Sequence, residues 1–286
     1  MMIIHRNNAL IAVVAGVAGF SLKSIFIKLA WLEGIDPVSL MGCRMLLSMP
    51  FFLLAWICKR REQQQRSGTG VRGIIYCSVL YYISSLSDMA GLTMISVNIE
   101  RLILFTIPIF VLLISILFMR KRYPVTAYIA ALLSWVGVAI AYYGESHQSE
   151  AMHSLYGVGL IFISAATYAG YFIISGEELK NRGFIVFNSQ VMLLSCLYSL
   201  IPFLFHTQSI HIIFKDFHFI KYPLLLALFS TVAPSFLMMY GVKKCGPVTV
   251  AIINNIGPFF TMVCGCWLLD QPVSFQDLIG MSIVII

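Results

Sequence analysis

Apolar residues in this chain neither alternate with polar ones nor form narrow stripes. They come in long runs, separated by short polar breaks. The runs cover residues 9–31, 38–58, 73–95, 97–119, 123–143, 155–176, 186–205, 222–242, 247–269 and 273–286. A helix of about 20 apolar residues crosses the hydrocarbon layer of a bilayer. The pattern therefore predicts an all-α integral membrane protein with ten transmembrane helices. The tenth run has 14 residues before the sequence stops, and is read as a truncated tenth helix. The connections are short, and none is expected to hold a second domain. The longest, KRREQQQRSGTGVR at 59–72, is polar and expected to be mobile. The first run is long enough to span and lacks a polar cleavage region, so it reads as a membrane helix and not a signal peptide.

Composition sharpens this picture. The chain is 59% hydrophobic and 11% charged, with a mean hydropathy of +0.89. Soluble domains run near 45–50% apolar and about 25% charged. The formal net charge of +7 would suggest nucleic acid in a soluble protein. Here the distribution of Lys and Arg explains it through the positive-inside rule. With a cytoplasmic N-terminus, the inner segments hold Arg6, the cluster Lys59, Arg60, Arg61, Arg66 and Arg72, then Arg120, Lys121, Arg122, Lys180, Arg182, Lys243 and Lys244. The outer loops hold only Lys215 and Lys221, a ratio of thirteen to two. The expectation is a multi-pass protein of the bacterial cytoplasmic (inner) membrane with its N-terminus inside. The seven cysteines lie in or beside apolar runs and read as small apolar side chains. No metal spacing appears among the cysteines or histidines.

The chain also repeats itself. At an offset of 150 residues, Met89-Ala90-Gly91-Leu92 falls on Met239-Tyr240-Gly241-Val242, and Ile107-Pro108-Ile109-Phe110 on Gly257-Pro258-Phe259-Phe260. Two five-helix halves are expected, residues 1–145 and 154–286. An odd number of helices per half forces opposite orientations in the bilayer. The charges agree, since Arg120-Lys121-Arg122 falls on Asp270-Gln271-Pro272. Many secondary transporters are inverted repeats of this kind, with a substrate site near the midplane between the halves.

At this point the chain resembles the drug/metabolite transporter superfamily, in its EamA branch. The stretch YGVKKCGPVTVAIINNIGPFFTMVCGCWLLDQPVSFQDLIG, residues 240–280, carries the resemblance through Gly246-Pro247, Ala251, Pro258 and Asp270. In the first half Lys28, Asp36-Pro37 and Arg44 are similar to the family pattern, whereas Arg120 stands where the family often has a glutamate. The resemblance implies a ten-helix transporter of small metabolites, often an exporter of amino acids or related compounds.

Charged residues inside apolar runs are costly and mark function. Lys23, Lys28, Arg44, Asp88, Glu100 and Arg101 all fall in the outer half of the first repeat, and the second repeat has no counterpart. Lys28 and Glu100 are the candidate helix-cap or ion-pair residues, and Glu100 and Arg101 are expected to snorkel to the interface or to pair with Asp88 and Arg44. Neighbours at i and i+1 point about 100° apart, so Glu100 and Arg101 are not expected to share one partner. Arg101, with Lys23 or Lys28, is a candidate to receive a carboxylate or phosphate. Tyr81, Ser84, Ser85 and Asp88 share one helical face and form a polar stripe. Tyr168, Asn254 and Asn255 complete the candidate substrate-binding set of Lys23, Arg44, Tyr81, Ser85, Asp88 and Arg101. Pro108, Gly257 and Pro258 are candidate hinges, because a proline frees the carbonyl four residues earlier.

The leading expectation is a secondary transporter moving small polar metabolites, such as amino acids, by alternating access. The alternative is an exchanger of organic phosphates or nucleotide derivatives. No phosphate-binding Gly-rich loop appears, so ATP is not expected to drive it directly. No clustered acid, base and nucleophile appears, so an enzyme is not expected. A sensor would need an output domain. The expected partners are a small-molecule substrate and the lipid bilayer, with a homodimer admitted, no nucleic acid and no cofactor.

Overall fold

The computed structural model describes residues 2–63, 71–95, 97–120, 124–126, 128–129, 132–133, 136, 155–205, 217–257, 260–261 and 264. Among them every regular element is helical. In chain order these are α1 (Met2–Leu32), α2 (Pro37–Gln63), α3 (Arg72–Leu92), α4 (Val97–Leu104), α5 (Ile107–Met119), α6 (Leu155–Asn181), α7 (Phe184–Phe205) and α8 (Phe217–Ala227). A π-helical turn, Leu228–Val232, leads into α9 (Ala233–Cys245), which is followed by α10 (Pro247–Asn254). Five stretches are long and apolar enough to cross a membrane: Asn7–Leu32, Pro37–Arg60, Leu155–Asn181, Phe184–Phe205 and Ile220–Cys245. The expected fifth and tenth spans, 123–143 and 273–286, lie largely or wholly outside the described residues, as does half of the 59–72 connection.

Local sequence sets the turns. Gly34 closes α1 at a φ of +85°, and the Asp36 carboxylate accepts the Ser39 backbone N–H at 2.9 Å, capping α2 with Pro37 in its first turn. Gly246 alone joins α9 to α10, at φ +85° and ψ 160°, with Pro247 opening the next helix. That backbone region is essentially restricted to glycine.

Two of the expected spans are not continuous. Residues 97–119 divide into α4 and α5 at Phe105-Thr106, and 247–269 divides at Asn255-Ile256. The breaks lie 150 residues apart and share one bond; at the residue before it, Phe105 N–H reaches the Arg101 carbonyl at 3.1 Å and Asn255 N–H the Ile252 carbonyl at 3.1 Å. Thr106 N–H donates to the Ile103 carbonyl at 2.9 Å, and Ile256 N–H to the Ile253 carbonyl at 3.0 Å. Both are i→i−3 bonds that tighten the last turn before a proline. Pro108 offers no N–H to the Leu104 carbonyl, which explains the first break. Pro258, expected as the second hinge, lies outside the described residues; Gly257 sits just after the second break. The eighth span holds a further irregularity absent from the sequence expectation. Pro234 supplies no N–H to Ser230, and the chain widens into the π turn, where Thr231 Oγ1 bonds the Leu226 carbonyl at 2.9 Å. Gly19 of α1 fits against this bulge; a Cβ there would come within 2.7 Å of the Phe229 carbonyl oxygen and 2.6 Å of Pro234.

The helices of the two halves interlock. α3 packs on α6, α2 on α7, and α1 on α9 with its π turn. Exchanging the first, second and third spans with the sixth, seventh and eighth maps this set of contacts onto itself. Small polar groups stitch the seams: Ser195 Oγ donates to the Ser78 carbonyl at 3.0 Å, and Asn188 Nδ2 to Ser235 Oγ at 3.0 Å. The outward faces carry large apolar side chains such as Leu54, Tyr76, Leu117, Phe118 and Leu204. In water such a surface would be a liability; in lipid it is the solvent-matched face.

Gly246→Ala is expected to destabilise the purified protein by roughly 1–3 kcal/mol, because alanine cannot relax at that backbone conformation. Gly159→Ala, in a helix with open space at its Cβ, is expected to be neutral or to stabilise by about 0.5–1 kcal/mol. Thermal unfolding of both variants in detergent checks the contrast.

Candidate functional site

A cavity of about 70 Å³ lies between the halves, lined by Lys23, Arg44, Tyr81, Ser85, Asp88, Arg101, Tyr168 and Asn254, with Phe20, Ser84, Leu104, Ile107 and Ser164. It spans the middle of the bundle. Tyr168 is thirteen residues from either end of α6, and Tyr81 lies nine residues into α3. The stripe on α3 faces this cavity along its length. Eight of the nine candidate substrate-binding residues therefore meet in one place. Asn255 does not line it; it is buried in the second helix break, with its Nδ2 lacking a hydrogen-bond partner. Both breaks abut the cavity, through Leu104 and Ile107 on one side and Asn254 on the other. The floor is aromatic: Tyr168 packs on Phe172 at 4.6 Å between ring centroids, and Tyr81 meets Tyr171 edge-on at 5.4 Å.

Charge arrangement departs from expectation in three ways. Asp88 pairs with Lys23 at 2.5 Å and not with Arg101. Arg44 instead donates to Ser85 Oγ at 2.6 Å and to Met41 Sδ at 3.0 Å. Lys28 forms no ion pair among the described residues; its ammonium sits 4.5 Å from the centroid of the Trp31 ring, one helical turn on, which holds the charge near the end of α1. Glu100 and Arg101 do share a partner. The Ser24 hydroxyl donates to Glu100 Oε2 at 3.0 Å and accepts from Arg101 Nη2 at 2.6 Å. The 100° between neighbours on a helix fixes only where the side chains leave the backbone, and these two long side chains converge beyond that point. Arg101 Nε also lies 3.4 Å from Glu100 Oε2. Glu100 is thus an ion-pair residue and not a helix cap.

Ser21 and Ser24 were not among the sequence candidates, yet both organise the site. The Ser21 hydroxyl lies 2.8 Å from the Gly257 carbonyl, and the Ser21 carbonyl accepts from Arg101 at 3.2 Å. Arg101 is thereby linked through α1 to the second helix break. The available signal was the spacing of two serines, i and i+3, inside an apolar run. Ser164, which meets Ser84 at 3.2 Å, carried the same weak signal.

A second hollow of about 610 Å³ lies toward the C-terminal end of α6, lined by Gly176, Glu177, Lys180, Lys243, Gly246 and Thr249 among others. Gly176 is eight residues beyond Tyr168, about 12 Å along the helix. The α6 and α10 helices therefore line both hollows. Beside it, Arg182 pairs with Glu178 at 3.0 Å and accepts Lys243 on its carbonyl at 2.6 Å.

A cavity between the halves, lined by charged, hydroxyl and aromatic side chains and flanked by paired helix breaks under an apolar outer surface, fits a multi-pass membrane transporter. The EamA-like transporter family matches residues 7–143 and 155–286, and the chain belongs to that family. It is 27% identical over 281 residues to the "Uncharacterized transporter YcbK" of Bacillus subtilis (strain 168), covering 93% of this chain and 86% of that one. It is 26% identical over 219 residues to "Solute carrier family 35 member B1" of Gallus gallus, covering 73% and 66%. A solved crystal structure superposes with a TM-score of 0.74 at 11% identity, covering 98% of this chain and 94% of the other; the likeness is one of fold.

Breaking the Lys23–Asp88 pair by Lys23→Ala is expected to cost about 3–5 kcal/mol, since it leaves a carboxylate buried without its cation. The double variant with Asp88→Ala is expected to recover about 0.5–3 kcal/mol of that loss. A double-mutant cycle on detergent-solubilised protein measures the coupling.

Proposed function

We propose that the protein is a secondary transporter, an exporter of small polar metabolites such as amino acids, working by alternating access between two inverted five-helix halves, 1–145 and 154–286. The observation that carries this reading is the placement of the cavity. It sits between the halves, touches both helix breaks, and lies one helical segment away from the larger hollow on α6 and α10. A small rotation of α4 or α10 about its break would open one end of the cavity and close the other. The Lys and Arg count supports an N-terminus in the cytoplasm of a bacterial cell, which puts the larger hollow on the inner face of the cytoplasmic membrane. In that arrangement the cavity is reached from inside, while the side chains of Lys23, Asp88, Glu100 and Arg101 lie toward the outer end.

The test is uptake of a labelled panel of amino acids, organic phosphates and cationic drugs into proteoliposomes, with and without a pH gradient. Amino-acid flux is the expected result, and its response to the gradient reports coupling. Asp88→Asn and Arg101→Ala are expected to lower flux tenfold or more, in line with the ~1.5–3 kcal/mol of a charged hydrogen bond, with little change in expression. Full flux in both variants would remove the charged residues from the transport path. Flux confined to phosphates would replace amino acids with the phosphate class.

A further inference from the structure

The charges around the cavity do not balance, and the imbalance sits on one residue. Lys23 is matched by Asp88 and Arg101 by Glu100. Arg44 has no carboxylate partner among the described residues. Its side chain lines the cavity, the residue is 1% exposed, and its Nε has no hydrogen-bond partner. Its Nη2 reaches only a serine hydroxyl and a thioether sulfur. A buried guanidinium left in this state carries a desolvation penalty with no compensating anion. Its planar donor fork suits a carboxylate.

We propose that Arg44 is the anchor for a single carboxylate on the transported molecule. This deepens the transporter reading and rests on it. Charge count selects the ligand. With each group counted at its ordinary ionisation, the five sum to one formal positive charge, so a carboxylate brings the site to formal neutrality. A phosphate dianion would leave it with one negative charge, in a setting that already holds two buried carboxylates. Ser85, bonded to Arg44, lies one helical turn before Asp88, with Cβ atoms about 5–6 Å apart. Asp88 Oδ1 has no hydrogen-bond partner. It offers an acceptor for a donor group carried close to the carboxylate, so an acid with a neighbouring amino or hydroxyl group meets both. Removing the carboxylate charge while keeping the rest of the molecule is therefore the discriminating change.

The experiment uses the full chain in detergent and measures the affinity of leucine, threonine and phenylalanine, their carboxamides, 2-hydroxy-3-phenylpropanoate and glycerol 3-phosphate. At least one acid is expected to bind tenfold or more tightly than its amide. Arg44→Gln is expected to bring that ratio close to one, and Arg44→Lys to retain part of it. Arg60→Gln, on the exposed end of α2, is expected to leave the ratio unchanged. Should Arg44→Gln fail to fold, the ratios of the wild type and Arg44→Lys decide. The proposal is overturned if no acid binds, if acids and amides bind alike, if Arg44→Gln keeps the ratio, or if glycerol 3-phosphate binds most tightly. The same compounds are then tested for flux in proteoliposomes. Acid-selective binding without flux would sink the transporter reading and leave the Arg44 assignment standing. Flux without acid preference would do the reverse.

Discussion

An ionised side chain in lipid must find a partner, and that constraint governs this molecule. The bundle holds Lys23, Arg44, Asp88, Glu100 and Arg101 within the membrane-spanning region, and brings them together from four helices. None reaches a lipid-facing surface. Each is placed so that a carboxylate, a hydroxyl or the cavity takes up its charge. The serines of α1 are part of the same solution. A single hydroxyl on Ser24 satisfies an acid and a base at once, which an alanine in its place would leave facing each other across a gap. The positions of α1, α3 and α4 relative to one another thus follow from electrostatics as much as from packing.

The two halves share a backbone plan and differ in chemistry. Their helix breaks share the i→i−3 bond of Thr106 and Ile256, and their main inter-helix contacts exchange into themselves. The charges belong to the first half alone, since Asp88, Glu100 and Arg101 fall on Met238, Val250 and Ala251 at the 150-residue offset. The second half contributes its share through Tyr168, Ser164 and Asn254, which are uncharged.

Much of the site was legible in the sequence because charges in apolar runs are rare and conspicuous. The α3 stripe was equally plain, since Tyr81, Ser84, Ser85 and Asp88 recur at helical spacing. Pairing was not legible. Nothing in the order of residues distinguishes Lys23 from Arg44 as the partner of Asp88, because that choice depends on how α1 and α2 are rotated about their axes. Lys28 resembled the other lysine in composition, yet sits near a helix end with its ammonium over the Trp31 ring. Serines escaped notice because they are common in membrane helices and only their neighbours in space give them work. Helix interruptions were anticipated at Pro108, but the run 97–119 was read as one span. A proline shows where a hydrogen bond is lost and not whether the helix bends or stops. The π turn before Pro234 has the same origin, and its close fit to Gly19 depends on a residue more than 200 positions away.

The joint at Gly246 differs in kind from its counterpart in the first half. There, four residues, 93–96, separate α3 from α4. Between α9 and α10 the connection is one residue long. Any tilt of α10 is handed to α9 at once, and through α9 to α1, where Gly19 sits against the π turn. The two joints therefore pass a tilt along different lengths of chain, even though the two halves trace nearly the same path.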